Sequence, residues 1–416
     1  MPRIDVIEPI ERQPLFAVGL VFSALLLLPF GRSVELPTLI MAILGGALLW
    51  QRRGALYADP GQRLFAILFL AVWLPMLLSA LDAVHLPKTL NDSLVFPRLY
   101  LAGVFVIWAL RAPGHHDRLI RLTAYLVGFW LCDALIQAVV GMDLFGHPYT
   151  PGRLNGIYGR HLDFGVALPV LAPFLLYALR ERPVGLLIAA VLTAAVVLLA
   201  GSRGGWMSYA VVCAGLAHHL LRQGRVRAQQ VALGAMLLGA VVGLVAWQHP
   251  DARARVDVTL GVLSGEGKEI DAASSGRVTI WATAARMLAG HPFNGIGVGS
   301  FRYAYPQYAG PGDVFVDANT GTGAFYAHQL VIQVLSETGV IGLIGLLMFF
   351  WLWWRSWRDA PPAQRGRALP YALAALAWLF PLNTHASFYG AQWSQLIWLM
   401  LALYCAALFT TRREGG

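Results

Sequence analysis

Twelve runs of largely apolar residues divide this chain, and only one of the connections between them is long. Crossing the hydrocarbon core of a bilayer takes about 20 consecutive apolar residues in a helix. The runs begin near Pro14, Val34, Leu64, Ser93, Leu119, Leu162, Val184, Gly205, Gln230, Thr338, Ala368 and Ala391. Inside lipid every backbone polar group must find a partner within the protein, so each run is expected to be a helix. The predicted fold is all-α: a polytopic membrane bundle of about twelve transmembrane helices, with one long polar segment between the ninth and the tenth. That divides the chain into 1–247, carrying nine helices, 248–327, the polar segment, and 328–416, carrying three. Only 13% of the 416 residues are charged and 57% are hydrophobic, whereas a soluble domain carries about 25% charged residues. So little polar material cannot cover so much apolar surface in water.

Charge gives the bundle a direction. Arginines crowd one set of alternate connections, as at Arg52 and Arg53, at Arg222, Arg225 and Arg227, and at Arg355, Arg358, Arg365 and Arg367. By the positive-inside rule those connections, and both termini with them, are expected on the cytoplasmic side of a bacterial inner membrane. The segment 248–327 is then periplasmic. A formal charge of +9 invites a nucleic-acid partner, but the cations are spaced between apolar runs rather than gathered in one basic stripe, and none is expected. Membrane lipids are the expected surroundings. Cys132, Cys213 and Cys405 all fall inside apolar runs, form no paired motif, and read as small core residues.

The other set of connections holds fewer cations in short turns. RLNGIYGRHLDFG contains Arg153, Arg160, His161 and Asp163, and the turn GSRGGW contains Arg203. A guanidinium at a membrane boundary is costly unless it is paired or bound. One reading is a clamp for a pyrophosphate, because the guanidinium fork matches phosphate oxygens two at a time. Glycines beside Arg203 would also let backbone N–H groups face an anion. The other reading is snorkelling toward headgroups, or pairing with Asp163. One arginine alone does not decide between them; several converging on one place favour the clamp.

Within 248–327, Arg253, Arg255, Lys268, Arg277, Arg286 and Arg302 can all meet an anionic substrate. Ser274 and Ser275 offer a helix N-cap, and Val278, Trp281, Ala284, Ala285 and Leu288 recur at helical spacing until Gly290 and Pro292. This helix is expected to lie over the mouth of the bundle on that stripe. The rest of the segment shows no strong core of its own and reads as a lid or partly ordered loop. Arg277 stands in the first turn, where the helix dipole does not favour a cation, so it is expected to point to a cavity or pair with Asp271. GIGVGS, from Gly295, follows no strand and reads as tight turns rather than a dinucleotide loop.

His328 opens HQLVIQVLSETGVIGL. An imidazole at that boundary can exchange a proton near neutral pH, although a lone histidine at a helix start is commonly structural. Gln329, Gln333 and Glu337 follow at intervals of four and form one polar stripe expected to face into the bundle. Glu337 either orients a site or satisfies helix ends. NTHASFYGAQW, with His385 and Tyr389, suits sugar recognition and equally an interfacial aromatic belt. The sequence has no HExxH, no clustered cysteines and no paired aspartates in the outer connections, so neither a metal nor another cofactor is expected.

Three of these stretches resemble the O-antigen ligase family, the membrane glycosyltransferases that finish lipopolysaccharide. They are GSRGG at Gly201 to Gly205, GRVTIWATAARMLAGHPFNGIGVGSF from Gly276, and HQLVIQVLSETGVIGL from His328. The resemblance covers roughly the second half of the chain plus RLNGIYG, and departs where Gln329 stands in place of a frequent asparagine. It implies a GT-C-like membrane fold and an inverting, metal-independent transfer. The donor it implies is an undecaprenyl-diphosphate-linked O-polysaccharide, and the acceptor a sugar hydroxyl of lipid A-core. It implies His328 as the general base and Arg203 and Arg277 as ligands of the donor diphosphate. Arg153 and Arg160 are added from the physical reading, with Glu337, Tyr389 and His385 as candidate supporting residues. O-antigen polymerases and protein O-oligosaccharyltransferases share the donor and the base, and stand as alternatives that the NTHASFYG segment disfavours. A transporter of lipid-linked glycans without chemistry is a further alternative.

Overall fold

The computed structural model describes residues 14–112, 114–150, 153–159, 163–261, 271, 274–382 and 387–410. All twelve apolar runs are helical. In chain order the first nine are covered by α1 (Pro14–Leu26), α2 (Glu35–Ala58), α3 (Pro60–Leu78), α4 and α5 (Leu86–Val95 and Pro97–Ala109), α6 (His115–Val140), α7 (Phe164–Ala178), α8 (Pro183–Leu199), α9 (Arg203–Arg222) and α10 (Ala228–Gln248). The polar segment holds α11 (Pro250–Leu260), α12 (Arg277–Gly290) and α13 (Phe301–Tyr308), and the chain closes with α14 (Leu330–Asp359), α15 (Pro362–Leu379) and α16 (Ala391–Phe409). Among the described residues six segments are long and apolar enough to cross a membrane: 28–58, 60–82, 86–109, 115–140, 228–248 and 330–359. Shorter apolar helices at Leu15–Leu26, Phe164–Ala178, Pro183–Leu199 and Trp393–Phe409 accompany them.

Burial sorts these helices by depth. On α16 every residue from Leu396 to Leu408 is buried, as expected of a helix apolar all round at the centre of a bundle. Trp398 lies within 5.0–6.3 Å, centroid to centroid, of Phe65, Phe69, Phe96 and Phe349 from α3, the start of α5 and α14. α2 and α5 pack together, α6 lies along α7, and α7 touches both α9 and α15. α10 is the opposite case: it is equally apolar but buries no residue, and so presents its surface to lipid. Of the three cysteines only Cys405 is buried, while Cys132 is exposed on α6, which corrects the expectation of three core positions.

The polar segment is better built than its sequence suggests. Ile280, Ala284 and Met287 of α12 join Ile296, Phe301, Ala304, Tyr305, Ala324 and Ala327 in a second buried core, separate from that of the bundle. The expectation of no core fails because its apolar residues are divided between two short helices and the loops around them, and become contiguous only on folding. The stripe of α12 is also displaced: Ile280, Thr283, Ala284 and Met287 are buried, whereas Val278 and Ala285 are exposed.

GIGVGS has a structural role. α14 is interrupted at Gly339, whose φ and ψ are 62° and −158°. Breaking a helix in a membrane frees N–H and C=O groups that must be satisfied. The Ile296 and Gly297 N–H groups donate to the Ser336 and Glu337 carbonyls at 3.0 and 3.1 Å, and the Val340 and Ile341 N–H groups donate to Pro292 and Phe293 at 2.9 and 3.0 Å. A Cβ at position 339 would stand 2.3 Å from the Phe293 carbonyl oxygen, so glycine is required there. The loop 292–299 is thus spliced into the break and fastens the polar segment to the bundle.

Candidate functional site

α7, α9, α12 and α14 all begin at one end of the molecule. Helix N-termini carry partial positive charge and unpaired N–H groups, which favour an anion placed before them. Ser202 caps α9 by accepting from the Gly205 N–H at 3.2 Å. Gly205 lies against α7 so closely that a Cβ there would stand 1.9 Å from the Gly165 carbonyl oxygen. That close approach, open only to glycine, fixes where Arg203 emerges.

Around Arg203 the structure assembles cations from distant parts of the chain. Arg203 Nη2 donates to Ser275 Oγ at 2.6 Å, at the head of α12. Arg255 of α11 donates through Nη1 to the Gly201 carbonyl at 2.6 Å, in the turn that carries Arg203. Arg255 lies within electrostatic range of both Arg153 and Arg203, and Arg277 within range of Arg203 and Tyr326. Tyr326 also senses Asp163, and its ring centroid is 4.1 Å from that of His328. Arg153, Arg255, Arg203, Arg277, Tyr326 and His328 are therefore linked one to the next by charge interaction or ring contact.

The electrostatics of this line are set by burial and by neighbouring like charge. Burial, then the nearby Arg203, holds the Arg277 guanidinium below its ordinary range. Burial, then Arg153 and Arg203 against the opposing pull of Asp251, does the same to Arg255. Burial raises the Tyr326 phenol, with Arg277 working against it. Like charges held together in a half-buried place cost energy that an anion of matching geometry would recover.

The backbone is strained at the same place. Among the described residues the non-glycine positions with positive φ are Ser275 (61°) and His328 (54°). Such conformations cost on the order of 1–3 kcal/mol and persist where the surroundings enforce them. Trp281 Nε1–H of α12 donates to the Ala327 carbonyl at 2.9 Å. Gln329 caps α14 by accepting from the Ile332 N–H at 2.6 Å, and its amide donates to the Pro381 carbonyl. His328 is held between those two fastenings, half-buried and beside Tyr326.

The other expected residues separate from this line. Glu337 is buried in the break of α14, where its carboxylate accepts from the Gly299 N–H at 2.8 Å and from Gln333 Nε2 at 2.9 Å. Nine residues of helix put it about 13 Å beyond His328 along the axis. Gln333 also donates to Ser387 Oγ at 2.7 Å and accepts from the Phe388 N–H at 3.0 Å. Tyr389 is buried with its hydroxyl 3.3 Å from Thr338 Oγ1, so it supports the break rather than lining a mouth. Of the cations in the polar segment, Arg286 bonds Thr283 Oγ1 at 2.9 Å and the Tyr308 carbonyl. Arg302 bonds Thr322 Oγ1 at 3.1 Å with its guanidinium 4.4 Å from the Phe325 ring. Arg253 faces outward toward Asp257 at 3.8 Å. These three hold the segment's own structure. Arg160, His161, Lys268 and His385 lie outside the described residues.

The sequence names Arg255 only as one of six cations of the polar segment, Ser275 only as a cap candidate and Trp281 only as part of an apolar stripe, and it gives Tyr326 no signal. Arg253 and Arg255 stand two apart in the same short helix, and nothing in DARARVDV tells which one turns inward. Of the two cap candidates Ser274 does the capping, its Oγ accepting from the Arg277 N–H at 3.2 Å, joined by Asp271, which accepts from the Val278 N–H at 3.1 Å, while Ser275 bonds Arg203.

No curated protein matches the chain. Residues 188–347 match the family described as O-antigen ligase. That stretch contains Arg203, Arg255, Arg277, His328 and Glu337, together with the spliced loop and the broken helix, while Arg153 and Tyr389 lie beyond its limits. Over this stretch, which is less than half of the chain, the protein is similar to the O-antigen ligase family, and its apolar helices are those of a multi-pass membrane protein.

Proposed function

We propose that this protein is an O-antigen ligase of the bacterial inner membrane, with its site facing the periplasm and both termini in the cytoplasm. The donor is an undecaprenyl-diphosphate-linked O-polysaccharide and the acceptor a sugar hydroxyl of lipid A-core. Arg203 and Arg277 hold the donor diphosphate, with Arg153, Arg160 and Arg255 extending the cationic surface beside them. His328 takes the proton from the acceptor hydroxyl as its oxygen attacks the anomeric carbon from the face opposite the diphosphate. The bond from that carbon to the diphosphate oxygen breaks, its electron pair leaves with undecaprenyl diphosphate, and the configuration inverts. Glu337 and Tyr389 act from a distance, by fixing the helix that His328 begins. The three-part division at 247 and 327 then reads as bundle, cover carrying Arg255 and Arg277, and closing helices.

The supporting observation is the coincidence at one place of three independent features: crowded guanidinium groups, converging helix N-termini, and strained backbone at Ser275 and His328. Developing negative charge on a leaving diphosphate is what fixed cations stabilise, at about 3–4 kcal/mol for a well-placed donor group. A weakly acidic hydroxyl needs a positioned base, which supplies about 10²–10⁴ in rate.

The test is transfer by the purified protein offered three acceptors with the same lipid-linked donor. Conjugation to lipid A-core supports the ligase. Growth of the donor's own glycan instead identifies a polymerase, transfer to a pilin-like protein identifies an oligosaccharyltransferase, and movement of intact donor between leaflets without any conjugate identifies a transporter.

A further inference from the structure

At the end of the bundle opposite the arginine cluster, α9, α14 and α15 leave a groove of about 830 Å³. α9 from Gly215 to Gln223 and α14 from Phe350 to Trp357 run toward that end, and α15 from Pro362 to Leu376 runs away from it. The polar lining residues collect at the groove's outer end: His218, His219, Arg222, Gln223 and Arg365. The remaining length is walled by apolar side chains such as Phe350, Trp353, Leu373 and Leu376, and no lining residue is acidic.

The pairing of charges here is uneven. Arg225 has Glu181 as its partner, and Arg355 and Arg358 share Asp359. Among the described residues Arg222 and Arg365, the two arginines that line the groove, have no carboxylate partner. Fourteen residues of α15 span about 21 Å, against about 15 Å for the hydrocarbon of one leaflet. A molecule with an anionic head and chains one leaflet long matches that length and that distribution of charge.

We infer that the groove binds an anionic phospholipid, its phosphate between Arg222 and Arg365 and its acyl chains along Trp353, Leu369, Leu373 and Leu376. Basic pockets between helices at this depth are suited to such headgroups. A transmembrane helix from a partner protein would call for small residues along the whole contact, whereas this groove is walled by Trp, Phe and Leu with its cations at one end.

The test uses the purified full-length protein, exchanged from bilayers of phosphatidylcholine and phosphatidylglycerol into detergent and examined by native mass spectrometry. Wild type is expected to retain phosphatidylglycerol under dilution that strips phosphatidylcholine. The double variant Arg222→Ala, Arg365→Ala is expected to retain it about tenfold less or lower still. Arg225→Ala, which removes a cation outside the groove, is expected to behave as wild type. Ala372→Trp, which fills the groove and leaves both arginines, is expected to lose the lipid as well. Equal retention of the two lipids by wild type, retention by the Trp variant, or a copurifying protein chain in place of lipid overturns the inference.

Discussion

Two polar regions of this protein are built from opposite materials, one from a carboxylate, an amide and backbone groups and the other from arginines. In the break of α14, Glu337, Gln333 and the loop 292–299 form a closed set in which donors meet acceptors at 2.8–3.1 Å. At the heads of α9 and α12, Arg203, Arg255, Arg277 and Arg153 are linked by charge interactions with one another. The first arrangement is complete in itself and explains a structural role. The second gathers like charges, which an anion of matching geometry would stabilise. Polar residues in a membrane protein are therefore informative less by being present than by the company they keep.

Variants at the two regions should fail in different ways. The largest effect is expected from His328→Ala, with transfer falling by about 10²–10⁴ while protein yield and thermal stability stay close to wild type; a variant that keeps its transfer rate shows that the base lies elsewhere. Next is Arg203→Ala, expected to lose about 10²–10³ in kcat, whereas Arg203→Lys keeps the charge without the fork and should fall between that variant and wild type. Equal rates for the lysine variant and wild type would indicate a point charge rather than a bidentate contact. Glu337→Ala belongs to the other class: it leaves the Gly299 N–H and the Gln333 amide without their acceptor, at about 1–3 kcal/mol of stability. Its thermal midpoint should drop, and the protein that remains folded should transfer at a near-normal rate. The smallest effect is expected from Arg255→Ala, about tenfold or less in transfer, because its bond to the Gly201 carbonyl steadies the turn that presents Arg203; a loss as large as that of Arg203→Ala would instead make it a direct ligand.

Much of the architecture was legible in the sequence because lipid imposes helices on apolar runs, and the positions of all twelve were visible. Depth was not, since α10 and α16 are comparably apolar yet one is fully peripheral and the other fully central. The second core was hidden because its residues are split between two short helices and three loop positions, and no single period joins them. In the candidate site, Arg203, Arg277 and His328 were readable from their motifs, and Arg153 from its place in a short turn. Arg255 was readable only as one of six cations in its segment and Tyr326 was not readable, because only the folded chain brings residues 255, 277 and 326 together. Glu337 and Tyr389 carried a real polar signal that belongs to the splice at Gly339 and not to the cation line.

The most direct measurement is the affinity of undecaprenyl diphosphate for two purified variants side by side, Arg203→Lys and Glu337→Gln. If the arginine line is a diphosphate site and the broken helix its scaffold, the first should bind at least about tenfold more weakly than wild type and the second with unchanged affinity. Unchanged binding by the lysine variant, or a loss confined to the glutamine variant, contradicts that assignment.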